Sequence, residues 1–440
     1  MRVPNMRFFD RVVQAVHRRI VTPQRDCIPL VGLGVICFLA LLLSSCDKEE
    51  VQTWQGRVIE LDSLLIVENP AEPIDPPRTL ELEELWRLGG ETENEEEFFG
   101  VIVKLLIDES GDVYLLDQAL NEIKVFSPEG EFLRTIGREG EGPGEFRRPE
   151  DMAFLPDSLL AVMERVPGRI VLLTRSGEPA GEHPLPQVDG AGFIGIAGGQ
   201  SDGRTLHLVL GYDSFEQGRY NHVRQIAELN RDGTVQTVIA ENNRGFDFSN
   251  PIIRERVWDD FENRWDVGSD GSVYVAMTWD EYSVDVWGGD GAKARTVKRP
   301  LEPRKRSPEE IARYRAIYEP FLRSVPGAQQ DIEKEDHPIV QVYARDEGWF
   351  WVLNCHGAFD RPEGSLGVFD VFDHDGRFFR QVTLMGEGDP VRDAYIFHGD
   401  RLFVLKGLLD AQLSAQGGAA EEADAAEAEP MSVICYSLGS

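Results

Sequence analysis

The chain has 440 residues, 42% apolar and 28% charged, with 45 Lys+Arg against 77 Asp+Glu and a formal net charge of −32. Such a composition sustains a large folded core and does not read as disorder. An acid excess of this size repels phosphate backbones, which excludes nucleic acid as a partner and argues against docking through anionic lipid headgroups.

At the N-terminus, Arg2, Arg7, Arg11, Arg18, Arg19 and Arg25 precede an apolar run from Ile28 to Leu43, and Leu43-Ser44-Ser45-Cys46 follows. A basic start, an apolar stretch and small residues at a cleavage point make residues 1–45 a secretory signal. The 16-residue run is short for a membrane span. Leu-Ser-Ser-Cys resembles the bacterial lipobox, which implies a diacylated Cys46 and a protein lipid-anchored in the cell envelope, facing the periplasm or exterior. Without residues 1–45 the balance becomes 39 basic against 75 acidic residues, or −36. Residues 46–79 carry Pro and acid in excess and read as a tether with at most one peripheral strand. Cys355 and Cys435 sit in strand-like text, WVLNC and SVICYSL. Buried free thiols are the expectation there, with a bridge between adjacent units as the alternative.

From Leu80 onward, short alternating apolar and polar runs are punctuated by Asp and Gly, the pattern of strands and tight turns. Residues 131–162, EFLRTIGREGEGPGEFRRPEDMAFLPDSLLAV, repeat a worn phrase at 84–116. In each copy nine residues separate a strand-ending glycine (Gly137, Gly89) from a loop phenylalanine (Phe146, Phe98). Such repetition marks an array of β units.

Two sets of turns recur. One joins first to second strands: Asp108 to Gly111, Pro156-Asp157, Ser201 to Gly203, Ser269 to Gly271, Asp346 to Gly348 and Gly399-Asp400, six in all. The other joins third to fourth strands: Pro128 to Gly130, Ser176-Gly177, Asp232-Gly233, Asp290-Gly291 and Asp375-Gly376, five in all. The missing sixth fits a last unit that lacks its own fourth strand, while residues 80–88, LELEELWRL, have no unit. The expected fold is all-β: a six-bladed β-propeller over 80–440, of four-stranded antiparallel blades, closed by that N-terminal strand, which removes exposed sheet edges. The blades fall at about 101–137, 151–186, 192–240, 265–300, 338–385 and 393–438 with 80–88. The aspartates of these turns lack the ligand spacing of calcium loops and are explained by turn chemistry.

The run from Gly137 through Gly140, Gly142 and Gly144 to Phe146 and Pro149 resembles the NHL-type repeat. More closely, it is similar to the six-bladed β-propeller lipoproteins of environmental and gut bacteria, as is RWDVGSDGSVYVA at 264–276. The resemblance implies a fold and a location. It implies no activity, and no catalytic residue is carried over.

Within each blade, connections one and three share a face, and connection two shares the other with the crossover. The long inserts all belong to the second face: crossovers 137–150, 241–264 and 301–337, and second connections 211–222, 355–366 and 408–430. Loops on a rigid scaffold carry function, so this rim is the expected binding face. The insert 301–337 contains a helix opened by the capping box Ser307-Pro308-Glu309-Glu310, with an apolar face of Ile311, Tyr314, Tyr318 and Phe321 packed on the rim. Residues 411–430 are low-complexity Ala/Glu/Gly and read as solvated, disordered or weakly helical.

No Ser nucleophile elbow, HExxH or CxxC appears. The glycine-rich loop 137–146 carries Glu139, Glu141 and Glu145, which would repel a phosphate. The starts of the innermost strands, converging on the axis, carry Glu150, Asp151, Asp266, Asp336, His337 and Asp393. Lactonase-like and amidating-lyase-like propellers hold calcium or zinc in such a place, which makes Asp151, Asp266, His337 and Asp393 candidate ligands. Otherwise no cofactor is expected. Arg147, Arg264, Trp265, His356, Arg361 and Arg392, with Trp258, Trp279 and Tyr282, supply aromatic and cationic groups suited to an envelope protein, a peptide or a glycan. Three functions remain open: a binding module, a metal-dependent hydrolase or lyase, and an assembly subunit of an envelope complex.

Overall fold

A computed structural model describes residues 53–440 except 167, 189–190, 192–193, 217–218, 248, 260, 262, 326, 416–429 and 440. The signal 1–45, Cys46 and most of 411–430 therefore lie outside the described residues. The rest is a six-bladed β-propeller. The blades span 102–136, 149–183, 194–246, 265–298, 339–385 and 394–437, each with its strands hydrogen-bonded in chain order. Second strands such as Val113–Asp117 and Leu159–Glu164 are buried almost throughout because a neighbouring blade covers each face. That is why they read as continuous apolar runs instead of alternating ones. Each blade interface has its own hydrophobic cluster, for example Tyr114, Leu116 and Ile123 against Met152, Leu160 and Val162.

The N-terminal segment does more than close the ring. Strands β1 (Arg57–Leu61) and β2 (Leu64–Glu68) form a hairpin, and β2 pairs parallel to Lys293–Lys298, so blade four has six strands. At most one peripheral strand was expected here. The apolar, β-branched text of VIEL and LLIVE around Asp62-Ser63 was masked by the surrounding Pro and acid. Next, β3 (Arg78–Glu81) pairs parallel to Phe378–Met385 as a fifth strand of blade five. Strand β4 (Glu83–Gly89) then pairs antiparallel to Ser432–Ser437 and completes blade six. The stretch 80–88 is thus two strands on two blades, and the closing role belongs to the second.

The two copies of the repeat differ by one residue from the expected register. Phe146 is fully buried, whereas Phe98 is 59% exposed and Phe99 is the plug. Gly137 and Gly89 have φ of +80° and +79°, and a Cβ on either would press on the ring of Phe146 (2.3 Å) or Phe99 (2.7 Å). Only glycine satisfies both demands.

On the loop-rich face, three inserts are more ordered than expected. Residues 211–216 and 219–222 are strand instead of loop, as Leu206–Glu216 and Arg219–Leu229 extend the hairpin. Crossover 241–264 begins as strand, since Val235–Phe246 runs on, and ends in a short helix, α1 (Glu255–Trp258). Helix α2 (Pro308–Ser324) starts with the expected capping box, both of its hydrogen bonds present. Ile311, Tyr314 and Tyr318 are half-buried along one side, while the side chain of Phe321 lies outside the described set. Gln329–Asp331 pairs parallel to Ile252–Arg254, lacing the two crossovers together. Helices α3 (Cys355–Phe359) and α4 (Leu408–Ala415) occupy the second connections of blades five and six. Among the described residues, no helix is long and apolar enough to cross a membrane. Cys355, at the start of α3, and Cys435, in strand Ser432–Ser437, are buried free thiols and form no bridge.

Candidate functional site

The rim is fastened by ions taken out of water. Arg306, in the strand-like lead-in to α2, donates to Asp336 (2.6 Å) and Glu255 (2.9 Å) and stacks on Tyr314, 3.6 Å from the ring centroid. Its side chain and both carboxylates are at most 4% exposed. Arg304 donates to the other oxygen of Asp336 (2.5 Å), to Glu310 of α2 (2.8 Å) and to Asp360 after α3 (2.9 Å). One aspartate thus ties α2 to α1 and α3. Burial raises the pKa of Glu255 against the pull of its partners, while that of Arg306 is raised because, against its own desolvation, Asp336, Tyr314 and Glu255 together prevail. Beside this knot, burial pushes Arg244 down to about 10 and Tyr318 up to about 12, and Arg224, next to Arg244, is likewise pushed down to about 10 by burial.

Along the axis, the first strands of blades one to five touch their neighbours in turn, and among the described residues each presents an inner edge with no strand paired to it. Buried backbone donors on such an edge need acceptors. Asp151 supplies one, accepting from the Gly199 N–H of blade three (2.8 Å) and from Lys104 Nζ of blade one (2.9 Å). Asp266 supplies another, accepting from Ala344 N–H of blade five (2.8 Å) and Val267 N–H (2.9 Å), beside Gln200. Burial raises Asp266 to about 6, an effect that the backbone donors and Lys104 only partly offset. Asp266 also sits two residues before the tight turn closed by Gly268 and Ser272, not at the loop-rich mouth where it was expected. Its strand, Trp265–Val267, is only three residues long, which shifts it along the axis.

The expected site residues separate into distinct places. Arg147 pairs with Glu141 (2.7 Å) on the exposed loop of blade two, and Glu150 with Arg165 (2.9 Å). Arg264 is buried against Asp259, and Trp265, 5% exposed, packs in the core between blades three and four. His337 bonds Ile339 through Nδ1 (2.7 Å), lies edge-on to Trp279 and is pushed down to about 3 by burial and then by Arg264. Tyr282 donates to the fully buried Asp370 (2.9 Å), so it is a strut between strands. His356 is spent between Asp360 (2.7 Å) and the Glu302 carbonyl (2.8 Å). Three of the expected residues do meet. Arg392 and Asp393 line a hollow of about 250 Å³ on blade six with Asp389, Lys406 and Asp410, and Arg361 reaches Asp389 from blade five (3.2 Å). Asp393 itself caps backbone N–H groups of Gly407 (2.8 Å) and Asp389 (2.7 Å).

The metal candidates do not fit their task. Asp151, Asp266, His337 and Asp393 each have separate protein partners, and among the described residues no three His, Cys, Asp or Glu side chains group in a way that could hold an ion. Sequence reasoning missed Lys104, Gln200, Glu255, Asp259, Arg304 and Arg306. Lys104 was detectable as the single cation inside the apolar strand IVKLLI, and a lysine there must find a carboxylate.

A family described as 6-bladed beta-propeller matches residues 91–172, under a fifth of the chain. No match is found among curated proteins. Solved structures of similar fold include an exported protein from Bacteroides fragilis, at 12% identity and TM-score 0.41, covering 82% of this chain and 99% of that one. A protein of the DUF4221 family from Bacteroides vulgatus is 12% identical with TM-score 0.45, covering 81% and 98%. The calcium-binding protein regucalcin from Agrobacterium tumefaciens is 13% identical with TM-score 0.40, covering 82% and 97%. At such identities no residue role transfers.

Proposed function

We propose that this chain is a lipid-anchored, extracytoplasmic propeller that binds an envelope protein, peptide or glycan at its loop-rich rim. The observation that carries this reading is the buried Glu255–Arg306–Asp336–Arg304 knot, which ties two inserts together and, through Arg304 and the half-exposed Asp360, reaches a third. A preorganised surface loses little entropy on binding, and among the described residues no such buried ion knot is built on the tight-turn face. The hollow around Arg392 and Asp393 adds charged, half-exposed groups able to orient a polar ligand. The alternative, a metal-dependent hydrolase or lyase, draws no support from a ligand set so dispersed.

The test is site-specific photo-crosslinking in cells. A crosslinking residue at Ile317, 66% exposed on α2, is compared with one at Asp232 in a turn on the opposite face. Adducts to one defined envelope component from Ile317 and not from Asp232 support the rim. Equal labelling from both positions, or none from either, contradicts it.

A further inference from the structure

Each innermost strand ends on the tight-turn face, so its first turn stands around the axis at the channel mouth opposite the rim. Three of these turns enclose a hollow. The ends of Trp265–Val267, Ile339–Ala344 and Ala394–His398, with the turns that follow them, surround about 150 Å³ between blades four, five and six. Ser269, Arg345, Asp346, Phe397, His398 and Gly399 line it. Pockets for drug-sized ligands run to roughly 300–1,000 Å³, so this one suits a molecule of a few heavy atoms.

Arg345 departs from the pattern of the other inward cations. Lys104, Arg264, Arg304 and Arg306 are each answered by at least one carboxylate. The half-buried Arg345 instead lies 5.3 Å from the ring centroid of Trp351 and 4.9 Å from that of Phe397, and donates to the Gly399 carbonyl (2.7 Å). Among the described residues no carboxylate lies within ion-pair distance of it. Burial lowers its pKa, a pull that Asp346 and Asp266 only partly offset. Two rings and a carbonyl therefore hold a five-donor fork in place, and the hollow is where its remaining N–H groups can meet an acceptor. Asp346 is exposed on the same wall, and its carboxylate makes no hydrogen bond or ion pair among the described residues, with Arg345 or any other. The hollow thus carries one guanidinium and one carboxylate, neither spent on the other. We infer that it binds a small zwitterion of the amino-acid class, the ligand carboxylate on Arg345 and the ligand ammonium on Asp346. Arginine takes a carboxylate through two parallel N–H···O bonds, and the Phe397 ring is left to cover a short apolar side chain. A bare anion would be repelled by Asp346 and by a chain of net charge −32, and a bare cation by Arg345. A ligand with both charges and no net charge meets neither obstacle. This site lies on the face opposite the rim and does not depend on the rim reading.

The experiment uses the full chain at neutral pH, with saturation-transfer NMR to detect bound L-alanine and competition titrations to rank it against its two halves, propionate and ethylamine. Alanine bound roughly tenfold or more tighter than either half supports the inference, as does a loss of similar size in Arg345→Gln. Because Arg345 also packs on Trp351 and Phe397, its replacement could loosen the wall. Asp346→Asn, at an exposed position, is therefore measured beside it and should bring alanine and propionate to equal affinity. No binding of alanine at tens of millimolar overturns the inference. So does propionate binding the unaltered protein as tightly as alanine, or alanine binding that neither substitution changes.

Discussion

Replacing Arg306 with methionine keeps most of the stem that packs on Tyr314 and removes the charge from between Asp336 and Glu255. The two carboxylates do not suffer equally. Asp336 retains Arg304 at 2.5 Å, whereas Glu255 is left with the Glu333 N–H at 2.9 Å. Removing one partner of a buried ion pair costs about 3–5 kcal/mol, because the other charge stays desolvated. With roughly 2.1 cal/mol/K of unfolding entropy per residue over the 388 described and intervening positions from 53 to 440, that loss lowers Tm by about 4–6 °C. Glu255 already has a raised pKa, and losing the guanidinium raises it further. A carboxyl whose folded pKa lies above its unfolded value stabilises the fold when protonated, and the contribution is lost as pH rises through the folded pKa. The variant should therefore be most destabilised at neutral pH and recover part of the loss on acidification toward the ordinary carboxylate range. Urea unfolding followed by tryptophan fluorescence at two pH values measures both effects. A loss under about 1 kcal/mol, the range of a surface pair, or a loss that does not change with pH, would refute the buried-knot reasoning.

Asp266 follows the same sign: its pKa is raised to about 6, so its contribution is complete below about pH 3.8 and lost as pH rises through about 6. Asp266→Asn should flatten stability between those limits by up to 2–3 kcal/mol on the order of the shift, and an unchanged pH profile in urea titrations would count against it. Gly137→Ala places a Cβ 2.3 Å from the Phe146 ring at φ +80°, and should cost about 1–3 kcal/mol. Gly203→Ala, whose Cβ meets nothing within 4 Å, should carry only the backbone part of that penalty, and equal losses in the two would remove the case for a plug. Burial lifts Cys355 and Cys435 to about 11, so iodoacetamide should leave both unmodified in native protein and label both in urea, as read by intact mass. Rapid labelling of either in the folded state would contradict its placement.

The propeller was legible because its turns are written in a small vocabulary. Asp-Gly and Ser-Gly pairs hold the left-handed positions of tight turns, and their spacing counts blades without reference to distant contacts. Where pairing is long-range, the same text was silent. Nothing in RTLE or LLIVE says which blade a parallel edge strand will join, because a parallel partner on the outer edge leaves no hairpin signature. The slip from Phe98 to Phe99 has the same origin. Both phenylalanines satisfy the local pattern, and only the position of Gly89 against the ring decides between them.

The site residues were harder to read for an electrostatic reason. In a chain with 77 acids, a carboxylate near the start of an innermost strand carries little information about chemistry. Asp151, Asp266 and Asp393 were singled out as ligands, and each instead accepts backbone N–H groups at strand ends or loops. That role is what a propeller channel demands: six first strands with unpaired inner edges need acceptors, and aspartate reaches a neighbouring blade's N–H with a short side chain. The informative residues in so acidic a sequence are the cations in apolar or helical text. Lys104 lies inside an apolar strand, and Arg304 and Arg306 precede a capping box. A buried cation must be answered by carboxylates from other elements, so each one names a junction, and the junction of three inserts at Asp336 is the one that shapes the rim.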